Sequence, residues 1–165
     1  MVAYQEFVSL SQSMDSEERG SAAHLSALAY LNHTGPADEH AALYAALIGF
    51  LDDPSVKVRA ALAYGLLHSS AAPRPIILAL LHDSAVIARA ILQHSPVLID
   101  ADLIGLVKSL DVSMLMSISQ RSRVSARLAT ALLARQDYQL NLRLLRRQDV
   151  VLPAAILAAL AEAHG

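Results

Sequence analysis

The sequence contains no cysteine, which excludes disulfides, thiolate metal sites and a cysteine nucleophile and makes a reducing, cytoplasmic compartment the expectation. Only 6 glycines occur, and none belongs to a phosphate-binding P-loop or a dinucleotide fingerprint. No Gly-x-Ser-x-Gly elbow surrounds any serine. Long hydrophobic runs are missing too. The longest nearly uncharged apolar stretch, Val150 to Ala161, covers 12 residues and contains Pro153, against the roughly 20 needed to cross a bilayer. The first residues, Met1-Val2-Ala3-Tyr4-Gln5-Glu6, lack the basic start and apolar run of an export signal. The expectation is a soluble chain with no membrane contact.

Aromatic residues make up 4% and charged residues 17%, whereas 30 alanines and 29 leucines fill 59 of the 165 positions. Both are strong helix formers, and the β-branched and aromatic residues favoured by strands are scarce. The composition therefore predicts an all-α protein. A chain of 165 residues is the usual size of one domain and can bury a core unaided, so residues 1–165 are expected to form one domain.

Helix starts recur along the chain. Asp15-Ser16-Glu17-Glu18 has the pattern of a capping box opening a helix to about Leu31, which Thr34-Gly35-Pro36 breaks. A second helix is predicted from about Asp38 to Leu51. Asp53-Pro54 has the form of an N-cap followed by an N1 proline, before a helix from Ser55 to about His68. A short helix through Leu81 follows Pro73-Arg74-Pro75. Asp83 is expected to cap a helix from Ser84 to Gln93, Asp100 one to about Ser109, and Asp111 the next. Further helices are predicted from Ser125 to Arg135, Tyr138 to Arg147 and Pro153 to Ala163. A shift of 30 residues lays Leu51, Asp53, Val56, Arg59, Ala60 and Leu62 on Leu81, Asp83, Val86, Arg89, Ala90 and Leu92. Asp53, Arg59, Asp83 and Arg89 are thus structural repeat positions, each arginine expected to bond a carboxylate or carbonyls of the adjoining turn. Helices of about 10 residues cannot bury their apolar faces alone and need stacked neighbours.

Asp53-Pro54-Ser55-Val56-Lys57-Val58-Arg59-Ala60-Ala61-Leu62 resembles the start of the second helix of a HEAT repeat. The run from Leu51 through Val107, with Leu51-Asp52-Asp53-Pro54-Ser55, Ala72-Pro73-Arg74 and above all His94-Ser95-Pro96-Val97-Leu98-Ile99-Asp100-Ala101-Asp102-Leu103, resembles an uncharacterised alphaproteobacterial family, domain of unknown function 2336. The resemblance implies a HEAT-like fold and no established activity. The expected architecture is a short, irregular right-handed alpha-solenoid of HEAT-like repeats or a compact helical bundle.

Chemistry is sparse. The seven histidines include no pair at i, i+3 or i+4 and no HExxH motif, so no metal is expected. Asp52-Asp53 and Asp100-Ala101-Asp102 fall at helix starts, where aspartate satisfies open amides. Neither a catalytic residue nor a cofactor site is predicted, and the chain is expected not to be an enzyme.

Charge segregation is the feature that points to a partner. Residues 1–56 hold eight acids (Glu6, Asp15, Glu17, Glu18, Asp38, Glu39, Asp52, Asp53) and one base, Arg19. Residues 121–148 hold seven arginines, Arg121, Arg123, Arg127, Arg135, Arg143, Arg146 and Arg147, and one acid, Asp137. The net charge of −2 conceals this division. The arginines are candidate contacts for an unidentified protein partner, with nucleic-acid or anionic-ligand binding through 121–147 as the alternative. Nucleic acid is disfavoured, because the segment offers one aromatic, Tyr138, and no lysine. The last helix is apolar on every side, and such a helix is expected to be covered. Ile156, Leu157 and Leu160 are the candidate self-association residues of a homodimer.

Overall fold

The computed structural model describes Ser9, residues 11–150, Leu152 and residues 154–164. Glu6 of the acidic segment and Pro153, the expected start of the last helix, lie outside the described residues. Among the described residues the regular elements form ten helices and no strand. They are α1 (Ser16–Leu31), α2 (Ala37–Leu51), α3 (Val56–Leu66), α4 (Arg74–Leu80), α5 (Ala85–His94), α6 (Asp100–Val107), α7 (Val112–Ser119), α8 (Ala126–Leu133), α9 (Tyr138–Leu145) and α10 (Ala154–His164). The protein is all-α. No helix among the described residues is long and apolar enough to cross a membrane.

Several caps follow the expected chemistry. The side chains of Asp111, Ser125 and Asp137 accept from the amides of Met114, Leu128 and Leu140, each three residues on. Others need correction. Only half of the capping box at Asp15 forms: its carboxylate accepts from Glu17 N, while its own amide donates to Ser13 Oγ rather than to Glu18. Ser55, not Asp53, is the N-cap of α3, and Ser84, not Asp83, that of α5. The aspartates sit just before the caps and accept from the amides of Ser55 and Ser84 at 2.9 and 2.7 Å. This leaves the rest of each carboxylate free to take an arginine. Asp100 is likewise the first helical residue of α6, and Ile99 holds the cap position. Helix ends are also shorter than the sequence pattern suggests. In α3, α8 and α9 the last residue is Leu66, Leu133 or Leu145, where the pattern ran to His68, Arg135 and Arg147.

The chain divides into two compact units. The first runs to Ile91 and includes Ser95–Val97; the second takes Leu92–His94 and the chain from Leu98 on. In the first unit α1 packs on α3, and α2 packs on α1, α3 and α4. The α1–α3 contact is made of small residues. Ala23 and Ala27 are fully buried, Gly20 faces Ala61, and a Cβ built on Gly65 would stand 2.6 Å from Ala27 Cβ. Glycine at 65 is therefore what lets the two backbones approach. Leu47, Leu62, Leu66, Ile76, Ile77, Leu80 and Ile91 complete this core. Each such side chain contributes about 2 kcal/mol through burial.

In the second unit, α6 packs on α8, α7 on α9, and α8 on both α7 and α9. The core consists of Leu103, Val107, Leu115, Ile118, Leu128, Leu132, Leu140 and Leu144. Their spacing within each helix follows the three- and four-residue rhythm of one apolar face.

Candidate functional site

The last four carbonyls of an α-helix have no intrahelical donor and concentrate negative partial charge. In the second unit arginines supply that donor. Each of α7, α8 and α9 is followed, two residues beyond its last helical position, by an arginine: Arg121, Arg135 and Arg147. Arg121 Nη1 donates to Leu92 O at 2.6 Å. Arg135 Nη1 donates to Val107 O and Leu110 O at 2.5 and 2.6 Å, at the end of α6. Arg147 donates to Ser119 O at 3.0 Å, Arg121 O at 2.7 Å and Ser122 O at 3.2 Å, at the end of α7. The forked guanidinium suits this task because it carries several N–H donors in a fixed plane. Burial lowers the proton affinity of Arg121, with Asp100 opposing the effect. Arg147 also holds Asp149 through bonds of 2.8 and 2.7 Å, which keeps that carboxyl below its ordinary range.

In the first unit arginine bonds aspartate. Arg59 Nε donates to Asp83 at 2.9 Å, and its Nη1 donates to Asp53 O at 2.7 Å. Arg19 Nε donates to Asp53 Oδ2 at 2.9 Å and its Nη2 to Oδ1 at 3.3 Å. The Asp53 carboxyl is held below the usual carboxylate range, first by the Arg19 hydrogen bond, then by the Ser55 amide and the charge of Arg59, against the cost of its burial. Arg89 departs from the repeat: half-buried on α5, it makes no such bond among the described residues, whereas Arg59 bonds both aspartates of the pattern.

The seven candidate arginines thus fall into two groups. Arg121, Arg135 and Arg147 finish helix ends, while Arg123, Arg127, Arg143 and Arg146 are exposed. Arg143, Arg146 and Arg147 come together at one solvent-open groove of about 440 Å³ between α7 and α9. Met116, Ser119 and Gln120 form the α7 side; Gln139, Leu142, Arg143 and Arg146 form the α9 side, at i, i+3, i+4 and i+7. The groove contains no acidic lining residue among the described residues. Met116, Gln120, Gln139 and Leu142 were not singled out from the sequence, although the one-face spacing along α9 carries the signal.

The adjoining face of α9, which shares Leu142, borders a second groove, of about 340 Å³, lined mainly by Tyr138, Leu142, Leu145, Leu157 and Leu160. Leu157 is 45% exposed, and Ile156 and Leu160 are half-buried. Of the self-association candidates, Leu157 and Leu160 therefore line a surface groove of this unit, and Ile156 is not among its lining residues.

These features define an all-helical protein with a basic interhelical groove. Residues 87–165 match the model of a bacterial family described as an uncharacterised conserved protein, domain of unknown function 2336. The match contains His94–Leu103 and all seven arginines, while Leu51–Ser55, where the sequence resemblance also pointed, lies outside it. No curated protein and no solved structure matches the chain.

Proposed function

We propose that the chain is a non-enzymatic interaction module, a HEAT-like scaffold that docks a protein chain in the groove between α7 and α9. The observation that carries this reading is the convergence of Arg143, Arg146 and Arg147 with Gln120 and Gln139 around Met116 and Leu142. Such a lining rewards a surface that brings both carboxylates and apolar atoms. A nucleic-acid strand is less well served, because its backbone calls for a row of uncommitted cations and stacking aromatics. Three of the seven arginines spend N–H groups on carbonyls, and no aromatic among the described residues lines this groove.

A photo-crosslinking residue at Gln139 tests the reading. The expected product is a protein adduct that nuclease leaves intact and that Arg143→Glu with Arg146→Glu removes. Adducts that are only nuclease-sensitive, or protein adducts indifferent to the charge reversal, overturn it.

The exposed Leu157, Leu145 and Tyr138 beside the second groove favour a further contact, self-association through α10. Its driving force is apolar burial, so Leu157→Glu is expected to weaken it and added salt is not. Self-association unchanged by Leu157→Glu excludes this surface.

A further inference from the structure

The groove between α7 and α9 sets specific demands on whatever fills it. Arg143 and Arg146 stand three residues apart on one face of α9, both exposed, and neither pairs with an acid among the described residues. Met116 and Leu142 beside them call for apolar atoms. Both walls are helix faces, at i, i+3 and i+4 on α7 and i, i+3, i+4 and i+7 on α9, the spacing that seats the ridge of another helix. The fitting occupant is a helix with carboxylates at one end of an apolar ridge.

The chain itself carries such a helix. α2 has no lysine or arginine, and its first turn presents Asp38 and Glu39, both exposed. Its outward positions continue with Ala41, Ala42, Ala45 and Ile48, apolar yet exposed, Ile48 at 37%. Laid antiparallel to α9, α2 would bring its two carboxylates to Arg143 and Arg146 at the C-terminal end of α9. The alanines and Ile48 would then run past Leu142 and Met116, with the two helix dipoles opposed. Resting on the reading of this groove as a protein-docking surface, we propose that its occupant is α2 of a second copy of the chain. The acidic and basic segments are then the two halves of one self-complementary contact.

Sedimentation velocity with charge-swapped variants tests this. Association of the wild-type chain is expected to rise with concentration at low salt and to weaken toward about 0.5 M salt, where screening is short-ranged, down to what the salt-insensitive α10 contact retains. Arg143→Glu with Arg146→Glu, and separately Asp38→Lys with Glu39→Lys, are each expected to weaken association at least about tenfold. Mixing the two variants restores opposite charges across the contact and should restore association. The milder Asp38→Asn with Glu39→Gln should weaken it without placing cations at a helix N-terminus. A wild-type chain that stays monomeric at low salt, or a mixture that stays monomeric, overturns the assignment. So does association that neither charge reversal weakens and that Leu157→Glu removes, which places the whole contact on α10. None of these outcomes touches the Gln139 crosslink, so the docking reading stands or falls separately.

Discussion

The guanidinium of Arg147 donates to the backbone carbonyl of Arg121 at 2.7 Å, and the guanidinium of Arg121 donates in turn to the carbonyl of Leu92 at 2.6 Å. Two residues 26 apart in the chain are thus consecutive rungs of one ladder, in which each arginine finishes an earlier helix end.

Arginines of the same segment should therefore differ sharply when truncated. Arg135→Ala and Arg147→Ala strip charge-assisted bonds from two or more carbonyls and are expected to cost about 2–3 kcal/mol. Arg143→Ala and Arg146→Ala should stay within about 0.5 kcal/mol of wild type, as exposed positions do. Lysine at 135 should recover only part of the loss, because an ammonium lacks the planar fork. Urea unfolding midpoints decide the matter, and equal effects across the four sites would remove the distinction between clamp and groove.

Asp53 gives the first unit an acid limit. Arg19 keeps its carboxyl ionised in the folded chain at acidities that protonate it in the unfolded chain. Its contribution is whole above the unfolded value of about 4 and is lost as pH falls through the lower folded value. Asp53→Asn should be clearly less stable than wild type at pH 6, and the gap should shrink at pH 3. A gap independent of pH would mean that Asp53 acts through packing.

Glycine 65 and glycine 49 should respond to alanine in opposite directions. Helix propensity alone favours alanine at both by about 1 kcal/mol. At Gly49 nothing lies within 4 Å of the added Cβ, so Gly49→Ala should stabilise. At Gly65 the added Cβ would meet Ala27 Cβ at 2.6 Å, so Gly65→Ala should destabilise by about 1–3 kcal/mol. Adding Ala27→Gly should recover much of that loss. Thermal melts of the variants provide the check.

Gln136, between α8 and α9, is the one non-glycine residue with positive φ among the described residues, at 57°. An L side chain is strained there. Gln136→Gly should raise stability by a few tenths to about 1 kcal/mol after the entropy of the more flexible unfolded chain is counted. A drop in melting temperature would show that the glutamine side chain earns its place by a contact.

The all-α fold was legible because alanine and leucine dominate and caps recur at short intervals. The 30-residue offset pointed to Asp53, Arg59 and Asp83 together, and Arg59 bonds the Asp83 carboxylate and the Asp53 carbonyl, because the offset repeats the aspartate one helix pair later. It could not assign Asp53 to Arg19, because that pair closes a loop of 34 residues with no sequence symmetry. The clamps were hidden differently. Leu132-Leu133-Ala134-Arg135-Gln136-Asp137 recurs twelve residues later as Leu144-Leu145-Arg146-Arg147-Gln148-Asp149, a period of one helix and its turn rather than of a helix pair. Charge counting pooled all seven arginines, although burial separates those facing carbonyls from those facing water. The basic groove depends on which faces of α7 and α9 meet, and that is decided by packing between helices rather than by either helix alone.

The arginine ladder also imposes an order in time. A ribosome delivers the chain from its N-terminus, yet the helix-end carbonyls of Leu92, Val107 and Ser119 receive their donors from residues 28 or 29 positions downstream. Each of these helix ends emerges incomplete and is finished only when the arginine of a later helix has been synthesised. A nascent chain stalled before Arg147 would present the end of α7 with those carbonyls open to water. Removal of the last twenty residues would leave the same scar in the finished protein.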